Sequence, residues 1–327
     1  MNIGLKKNVK LQYYNMIRKN IHSLNIIAHA RLHMGFFDLH GGLGRKFGSI
    51  GVALEWPVTE ILATKLGEHA QTTAQTLHQN VNFKMLQTIP SHAGLGSGTQ
   101  LALAVGAAYN QLYGLGLSAA DIALSTNRGS RSGVGIGTFE LGGVIVDGGR
   151  ANHSKSGSGT IKSLTTPPVL ARMDFPDAWR ILLIMDDTHK GLHGEEELSA
   201  FKTLPVFPEQ LADKLCRHVL MQALPALHEQ DLASFGAAIS ALQTATGDYF
   251  SPVQGGRYAS QKVAQVLDFL TSKQVSCLGQ SSWGPTGFAV FENESVAQQM
   301  LAELRQNGCR YVLTKGCNRP AEFKILQ

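Results

Sequence analysis

The sequence predicts an α+β protein of two domains, on three observations. The chain has 327 residues, and a domain commonly takes roughly 100 to 200 of them. Helical periods and strand-like runs alternate in both halves in an order that favours antiparallel sheets over a doubly wound sheet. Adjacent prolines, Pro167 and Pro168, interrupt the pattern near its middle. We therefore predict a basic N-terminal extension over 1–22, a first domain over 23–168 and a second domain over 169–327.

Composition and charge exclude several functional classes. Apolar residues make up 43% of the chain and charged residues 16%, below the usual quarter, so packed layers should dominate. A net charge of +5 favours an anionic ligand, but the basic stripe of a nucleic-acid-binding protein is missing. No uncharged apolar run is long enough to predict a membrane span. The four cysteines form no C-x-x-C pair, so we expect a cytoplasmic protein without disulfides or a zinc ribbon.

The N-terminal region is basic. Its first 37 residues contain six Lys or Arg side chains and no acidic one. A transit segment would have this composition, and so would a loosely ordered extension ahead of the first strand. We favour the extension, because no secretory apolar segment follows it.

The first elements follow from periodicity and turn residues. A strand over 24–28, a glycine turn and an extended run over 49–64 predict an opening like a β-hairpin. A polar segment over 68–80 leads to a short strand over 81–86. Residues 101–112 carry no charge on any face and predict a helix enclosed by protein.

A capping box begins the next helix. Ser118 is followed three residues later by Asp121, and the helix should run to about Arg128, where Gly129 can end it. Residues 139–147 then read as a strand.

The second half repeats the mixture of strands and helices. We predict strand 179–185, helical periods 195–204, 208–230, 231–246 and 257–273, a strand, glycine turn and strand over 275–292, a helix over 294–306 and a last strand pair.

The segment between Pro90 and the uncharged helix predicts an anion site. Glycines let backbone N–H groups converge on a ligand, and a helix start adds roughly half a positive charge. The segment is neither a P-loop nor a dinucleotide fingerprint, because it lacks the terminal Gly-Lys-Ser/Thr step and a preceding parallel strand. We predict that phosphate or pyrophosphate binds to Gly94, Leu95, Gly96, Ser97, Gly98 and Thr99. The hydroxyls of Ser97 and Thr99 could instead cap the helix or hold a metal ion.

Three segments resemble, in order, the motifs of the GHMP kinase superfamily. PSHAGLGSGTQ over 90–100 is similar to the second motif, which introduces a buried helix and wraps nucleotide phosphates. ARLHMGFFDLHGG over 30–42 is similar to the first and LGQSSWGPTGFAVFE over 278–292 to the third. The resemblance implies a GHMP-kinase-like two-domain fold, with an N-terminal part like ribosomal S5 domain 2 and a ferredoxin-like C-terminal part.

Departures from the kinases point to one branch of the superfamily. Where kinases have a Ser-Ser-Ala step, this chain has Ser-Gly-Thr-Gln over 97–100. That step, the first motif with its continuation to Leu54, and QGGRY over 254–258 resemble the β-ribofuranosylaminobenzene 5′-phosphate synthases of methanopterin biosynthesis. The resemblance implies a decarboxylating pentosyltransferase that joins phosphoribosyl pyrophosphate to 4-aminobenzoate, or to 4-hydroxybenzoate, at carbon and releases carbon dioxide and pyrophosphate. Its partners would be these small molecules, its cofactor Mg²⁺, and we expect a homodimer.

That reaction makes demands on the residues. Departure of pyrophosphate leaves positive charge on the anomeric carbon, so donors and a metal should hold the leaving anion. Ser97 and Glu140 are the candidate metal ligands. The candidate catalytic residues are Arg31, His33, Asp38 and Glu140.

The acceptor needs its own contacts. A bidentate arginine best orients its carboxylate. The candidate substrate-binding residues are Arg128, Arg131, Gln254, Arg257, Ser281 and Trp283. Each candidate also has a structural interpretation: a surface arginine, a packed histidine or an outward-facing glutamate.

Other functions stay open. An ATP-dependent small-molecule kinase of the superfamily would need a catalytic Asp or Lys beside the phosphate loop. A non-catalytic sugar or nucleotide sensor need not keep a leaving-group site. Residues 181–191 partly imitate a phosphoribosyltransferase loop, and His189 with His193 could form a metal pair.

Overall fold

The computed structural model describes residues 21–66, 80–152, 165–189, 191, 202–304 and 307–326. The strands are β1 Ser23–Asp38, β2 Arg45–Lys46, β3 Gly48–Lys65, β4 Val81–Gln87, β5 Val144–Asp147, β6 Arg150–Ala151, β7 Val169–Met173, β8 Arg180–Met185, β9 Cys277–Gln280, β10 Gly287–Phe291, β11 Arg310–Thr314 and β12 Glu322–Leu326. The helices are α1 Ser97–Tyr113, α2 Ala119–Ser125, α3 Val134–Leu141, α4 Glu209–His218, a π-helical turn Val219–Ala223, α5 Leu224–Glu229, α6 Leu232–Gln254, α7 Gln261–Ser272 and α8 Glu294–Glu303. The predicted α+β class is confirmed.

The first sheet is built on one long antiparallel pair. Strands β1 and β3 pair from Ser23 opposite Thr64 to Asp38 opposite Gly48, which confirms the predicted hairpin-like opening and extends its first strand. The sheet has the order β12–β1–β3–β5–β7, and β4 also pairs with β3. The ladder shifts register near Arg31 and His33. Such irregularities change the direction of nearby side chains.

Helix α1 confirms the helix predicted over 101–112 and begins four residues earlier. One side of it is not enclosed, because Leu101 is 38% exposed and lines the cavity described below. Helix α2 has the predicted capping box at Ser118 and Asp121. It ends at Ser125, before the predicted Arg128, since Thr126 already forms its C-cap.

The strand predicted over 139–147 is wrong in its first half. Residues Val134–Leu141 form α3, and only Val144–Asp147 is a strand. Small residues explain the helix, because a side chain at Gly135 would lie 3.1 Å from Thr99 and one at Gly137 2.8 Å from Ile145. Tertiary packing therefore overrides the low helix propensity of this glycine-rich segment.

The second sheet is antiparallel with the order β11–β8–β10–β9. It confirms the strand predicted over 179–185 and the strand, turn and strand over 275–292. The last two strands lie in different sheets, since β11 pairs with β8 and β12 with β1. The predicted helical periods over 208–230, 231–246, 257–273 and 294–306 correspond to helices α4 to α8.

The two sheets share a hydrophobic core. Its buried members include Leu32 and Ile50 from the first sheet and Leu183 and Phe288 from the second. Strands β7 and β12, both beyond residue 168, belong to the first sheet. The domain boundary at 168 stays a prediction.

Some predicted segments lie outside the described residues. These are the extension apart from 21–22, the polar segment apart from Asn80, and most of the helical period over 195–204. Within the described ranges, no helix combines the length and the apolar character that crossing a bilayer requires.

Candidate active site

Several loops and strands line a cavity of about 730 Å³, called here the main cavity. Its lining includes the phosphate loop predicted over 94–99, residues 127–132, the turn over 282–284, and Arg31 and His33 of β1. Within the loop, Leu95 is fully buried and does not line the cavity. The structure thus brings most of the predicted site residues together from distant parts of the chain.

The phosphate loop has the geometry of an anion site. Gly94 and Gly96 adopt left-handed backbone angles, with φ of 77° and 81°, which glycine tolerates best. Helix α1 begins directly after Gly96, and its first turn carries no acidic residue. In the described part of the chain, the N–H groups of Ser97 and Gly98 donate to no protein acceptor. Such N–H groups at a helix start can bind an anion.

Hydroxyl groups at the helix start are available to a ligand. Gly96 is the N-cap, and no side chain caps α1. Ser97 and Thr99 therefore do not have the capping role that the sequence left open. Both residues line the main cavity.

Two guanidinium groups flank the start of α1. Arg31 donates from Nη1 to the Gly94 carbonyl oxygen at 2.6 Å, and its backbone N–H donates to Leu95 at 3.1 Å. On the other side, a side chain at Gly98 would lie 3.3 Å from Nη1 of Arg128. Arg131 also lines the main cavity. The loop is thus surrounded by positive charge.

Ser281 fastens the phosphate loop to the rest of the site. It is fully buried, donates from Oγ to Gly94 at 2.7 Å and accepts the His33 backbone N–H at 3.0 Å. A side chain at Gly94 would lie 2.4 Å from the Ser281 carbonyl oxygen. Ser281 therefore acts within the protein, whereas Trp283 lines the main cavity and packs on Phe250 with ring centroids 4.2 Å apart.

His33 presents an unsatisfied nitrogen in the site. Its side chain is 2% exposed, and no described group pairs with its buried Nε2. Burial, and secondarily the charge of Arg31, lowers the pKa of His33 to about 3. The imidazole is therefore neutral near pH 7 and can donate or accept one hydrogen bond toward a ligand.

The two predicted carboxylates lie elsewhere. Asp38 accepts the N–H groups of His40 and Gly41 at 2.9 and 3.0 Å and so shapes the turn after β1. Glu140 is exposed near the end of α3. Neither side chain lines the main cavity. Their catalytic roles stay predictions.

Gln254 and Arg257 line a small pocket beside the main cavity, and His33 and Trp283 belong to both. The Arg257 guanidinium pairs with Asp248 at 2.7 Å, and Gln254 donates to the Arg257 carbonyl oxygen at 2.9 Å. Both residues therefore already have partners within the protein.

Asp147 is a buried carboxylate that the sequence reasoning did not select. It accepts the hydroxyl groups of Ser49 at 2.5 Å and Ser132 at 3.2 Å. Ser132 lines the main cavity and accepts the N–H of Val134 at the start of α3. Burial raises the pKa of Asp147 to about 6. The available signal was an acid at the end of the apolar run Val-Ile-Val.

The described residues do not fit a protein-held Mg²⁺. Such sites commonly use one or two carboxylates together with substrate phosphates. The described lining of the main cavity offers hydroxyl groups but no Asp or Glu, and no metal-binding cluster of His, Cys, Asp and Glu was found in the described ranges. Of the predicted pair His189 and His193, the second lies outside those ranges. Asp186, in the segment that imitates a phosphoribosyltransferase loop, accepts hydroxyls from Thr188 and Ser260.

The sequence is similar to two domain families and, over most of its length, to individual proteins from archaea. Residues 58–143 match the GHMP kinases N terminal domain and residues 223–308 the GHMP kinases C terminal domain. The chain is 33% identical over 324 residues to the beta-ribofuranosylphenol 5′-phosphate synthase of Archaeoglobus fulgidus, covering 92% of this chain and all of the relative. It is 34% identical to the protein of the same name from Methanocaldococcus jannaschii, covering 83% and 90%.

Solved structures show the same fold at low identity. Mevalonate diphosphate decarboxylase from Staphylococcus aureus has a TM-score of 0.60 at 15% identity, covering 93% of this chain and 98% of that one. Homoserine kinase from Cytophaga hutchinsonii has a TM-score of 0.62 at 13% identity with the same coverage. These likenesses concern the fold alone.

Proposed function

The chain belongs to the beta-ribofuranosylphenol 5′-phosphate synthase family and has the GHMP kinase fold, and from this premise we propose that it transfers a phosphoribosyl group to an aromatic acid. The fold and the family predicted from the three motifs are confirmed. The proposed donor is phosphoribosyl pyrophosphate. The proposed acceptor is 4-aminobenzoate or 4-hydroxybenzoate, and the name of the relatives, which refers to a phenol, favours the second.

The reaction exchanges bonds at two carbons. The bond from the anomeric carbon to pyrophosphate breaks, and a bond from that carbon to the ring carbon that carries the carboxylate forms. The carboxylate then leaves as carbon dioxide, and its bonding electrons return to the ring. The products are a C-riboside 5′-phosphate, carbon dioxide and pyrophosphate.

The convergence of positive groups at the start of α1 is the observation that carries the proposal. The N–H groups of Ser97 and Gly98 and the guanidinium groups of Arg31 and Arg128 all lie beside one cavity. Fixed donors aimed at a leaving anion stabilise the transition state in which its charge develops. We assign the departing diphosphate to this position.

The remaining lining suits a neutral ring and a sugar. Nε2 of His33 is buried without a described partner, so it can bond to a substrate hydroxyl or amine without changing its charge. Trp283 lines the main cavity and adds aromatic surface that a benzoate ring can contact. We assign orientation of the acceptor to these two residues.

In the proposed reaction, Mg²⁺ binds together with the donor, as an ion attached to its diphosphate. A divalent ion bound to the diphosphate would neutralise part of its charge, and Ser97 and Thr99 are the hydroxyls that could contact it. Because the described lining contains no carboxylate, no catalytic step is assigned to a metal held by the protein.

The kinase alternative lacks support in the described site. A catalytic Asp or Lys beside the phosphate loop was its discriminating feature, and the described lining of the main cavity contains no Asp, Glu or Lys. Transfer of phosphate from ATP to an alcohol would nevertheless be the result that replaces our proposal.

The test is an isotope experiment on the purified chain. The protein is incubated with Mg²⁺, phosphoribosyl pyrophosphate and carboxyl-labelled 4-aminobenzoate or 4-hydroxybenzoate, and labelled carbon dioxide and the mass of the riboside are measured. We expect both products with one of the acids. The variant Arg128→Gln should lose most of the activity. The control variant Arg217→Gln should keep it, because Arg217 is an exposed residue of α4 outside the main cavity. Labelled carbon dioxide from neither acid would overturn the proposal.

A further inference from the structure

A second cavity adjoins the main one. It has a volume of about 530 Å³ and shares Asn127, Arg128, Gly129 and Ser130 with the main cavity. Its other walls are Leu124, Thr165 and residues 150–152. Arg128 therefore stands between two cavities, and we call the second one the adjoining cavity.

The adjoining cavity is positively charged. Arg128 and Arg150 line it, and no acidic residue is among its described lining residues. Within the described ranges, neither guanidinium forms an ion pair with a carboxylate. Arginine is suited to bind phosphate and carboxylate through two parallel hydrogen bonds.

A further cation reinforces this charge. Nζ of Lys46 lies 5.5 Å and the guanidinium carbon of Arg150 5.3 Å from the centre of the Phe47 ring. Burial, and after it the proximity of Arg150, lowers the pKa of Lys46. The charge of Asp38 acts on Lys46 in the opposite direction, so one carboxylate stands against the positive charges of Lys46 and Arg150, and the excess of positive charge attracts an anion.

The strand that carries Arg150 is held in place by side-chain hydrogen bonds and by strand pairing. Arg45 donates to the carbonyl oxygens of Gly148 and Gly149 at 2.7 and 2.6 Å. Asn152 donates to Gly41 at 2.8 Å, and β2 pairs with β6. These contacts fix the backbone beside Arg150, as a binding site requires.

We propose that the adjoining cavity is a second anion subsite, in which Arg150 binds an oxyanion of a substrate on the far side of Arg128 from the diphosphate. The inference rests on the proposed function, because the two substrates carry three anionic groups and the phosphate loop accounts for the diphosphate alone. The 5′-phosphate of the donor and the carboxylate of the acceptor share the chemistry that a guanidinium recognises. Arg150 is thus a binding residue for one of these two groups.

Calorimetric binding to the full chain tests the subsite with three separate probes: ribose 5-phosphate, 4-hydroxybenzoate and inorganic pyrophosphate. We expect Arg150→Gln to weaken the binding of either ribose 5-phosphate or 4-hydroxybenzoate by about tenfold or more. Its affinity for pyrophosphate should stay unchanged. If Arg150→Gln loses affinity for ribose 5-phosphate, the subsite binds the 5′-phosphate of the donor. If it loses affinity for 4-hydroxybenzoate, the subsite binds the carboxylate of the acceptor. Arg150→Lys should restore part of the affinity, and Arg217→Gln should behave as the wild type.

Equal affinity of Arg150→Gln and the wild type for both probes would overturn the subsite, as would failure of the wild type to bind either. The proposed reaction fails separately, on the absence of labelled carbon dioxide. A thermal midpoint like that of the wild type shows that the exposed Arg150 was replaced without unfolding.

Discussion

Two buried ionisable side chains near the main cavity have shifted pKa values for the same physical reason. Burial disfavours the charged form, so it lowers the pKa of His33 to about 3 and raises that of Asp147 to about 6. Near pH 7, His33 is therefore an uncharged hydrogen-bonding group, whereas Asp147 is mostly ionised and costly to the fold. One acts toward the ligand and the other within the protein.

The ionisation of Asp147 predicts a pH dependence of stability. Its folded pKa of about 6 lies above its ordinary value of 3.8, so the folded state binds the proton more tightly than the unfolded state. Protonated Asp147 therefore contributes to the free energy of unfolding. This contribution is full below about pH 4 and is lost as the pH rises through 6. Asn cannot ionise, so the variant Asp147→Asn does not lose stability in this way as the pH rises. Relative to the wild type, the variant should gain up to about 3 kcal/mol in unfolding free energy between pH 4 and pH 7.

Urea unfolding of both proteins at several pH values from 4 to 8 measures this difference. A difference that stays constant over the range would show that Asp147 does not titrate there. Ser132→Ala is a useful companion, because it removes one hydrogen bond to the carboxylate without removing the ionisable group.

Ser97 predicts a selective loss of affinity. Ser97 lines the main cavity, and its hydroxyl caps no helix. Ser97→Ala should therefore weaken the binding of phosphoribosyl pyrophosphate and of pyrophosphate by about tenfold, through one lost hydrogen bond to a charged group. Binding of the free aromatic acid should not change. Ser272→Ala, on α7, is the control. Equal losses for the diphosphates and the acid would contradict the role of the loop.

At the scale of elements, local motifs were predictable and long-range pairings were not. The phosphate loop and Arg31 lie in short sequence patterns whose glycines and charges are visible directly. Asp147 gains its role only because β5 pairs with β3 and places it opposite Ser49. Residues 139–141, the end of helix α3, were predicted as part of a strand because they lead into the β-branched run Val-Ile-Val of β5, which favours one locally. The close packing of Gly135 against Thr99 and of Gly137 against Ile145, which accompanies the helix, is not visible in the sequence.

The junction between the phosphate loop and the turn over 282–284 predicts a large glycine effect. An alanine at Gly94 would combine left-handed strain with a contact of 2.4 Å to a backbone oxygen of Ser281. Gly114, at the other end of α1, has φ of 63° but open space around it. We expect Gly114→Ala to cost about 1 kcal/mol of unfolding free energy and Gly94→Ala about 3 kcal/mol or more. Unfolding in guanidinium chloride measures the free energy of unfolding of both variants. Equal costs would show that the junction can relax.

At the scale of the whole molecule, the two sheets depend on each other. One hydrophobic core contains Leu32 of the first sheet and Leu183 of the second. Strand β12 returns from the end of the chain to pair with β1, the strand that carries Arg31 and His33. The periodicity of the sequence predicted most of these strands, but it could not show that β11 and β12 separate into different sheets.

This arrangement predicts one cooperative unfolding transition. Because residues on both sides of position 168 share the core and the first sheet, neither half should melt alone. Scanning calorimetry should give a single peak whose calorimetric and van't Hoff enthalpies agree. Two separated peaks, or a fragment over 23–168 that folds by itself, would show independent domains.

Trp283 gives the molecule an optical reporter of its own. The chain has three tryptophans: Trp56 is 42% exposed, Trp179 is buried against Phe175, and Trp283 is 5% exposed and lines the main cavity. A ligand that fills this cavity changes the surroundings of the Trp283 indole, and indole emission responds to such a change in polarity. In a Trp56→Phe background, unlabelled substrates can thus be titrated by intrinsic fluorescence alone.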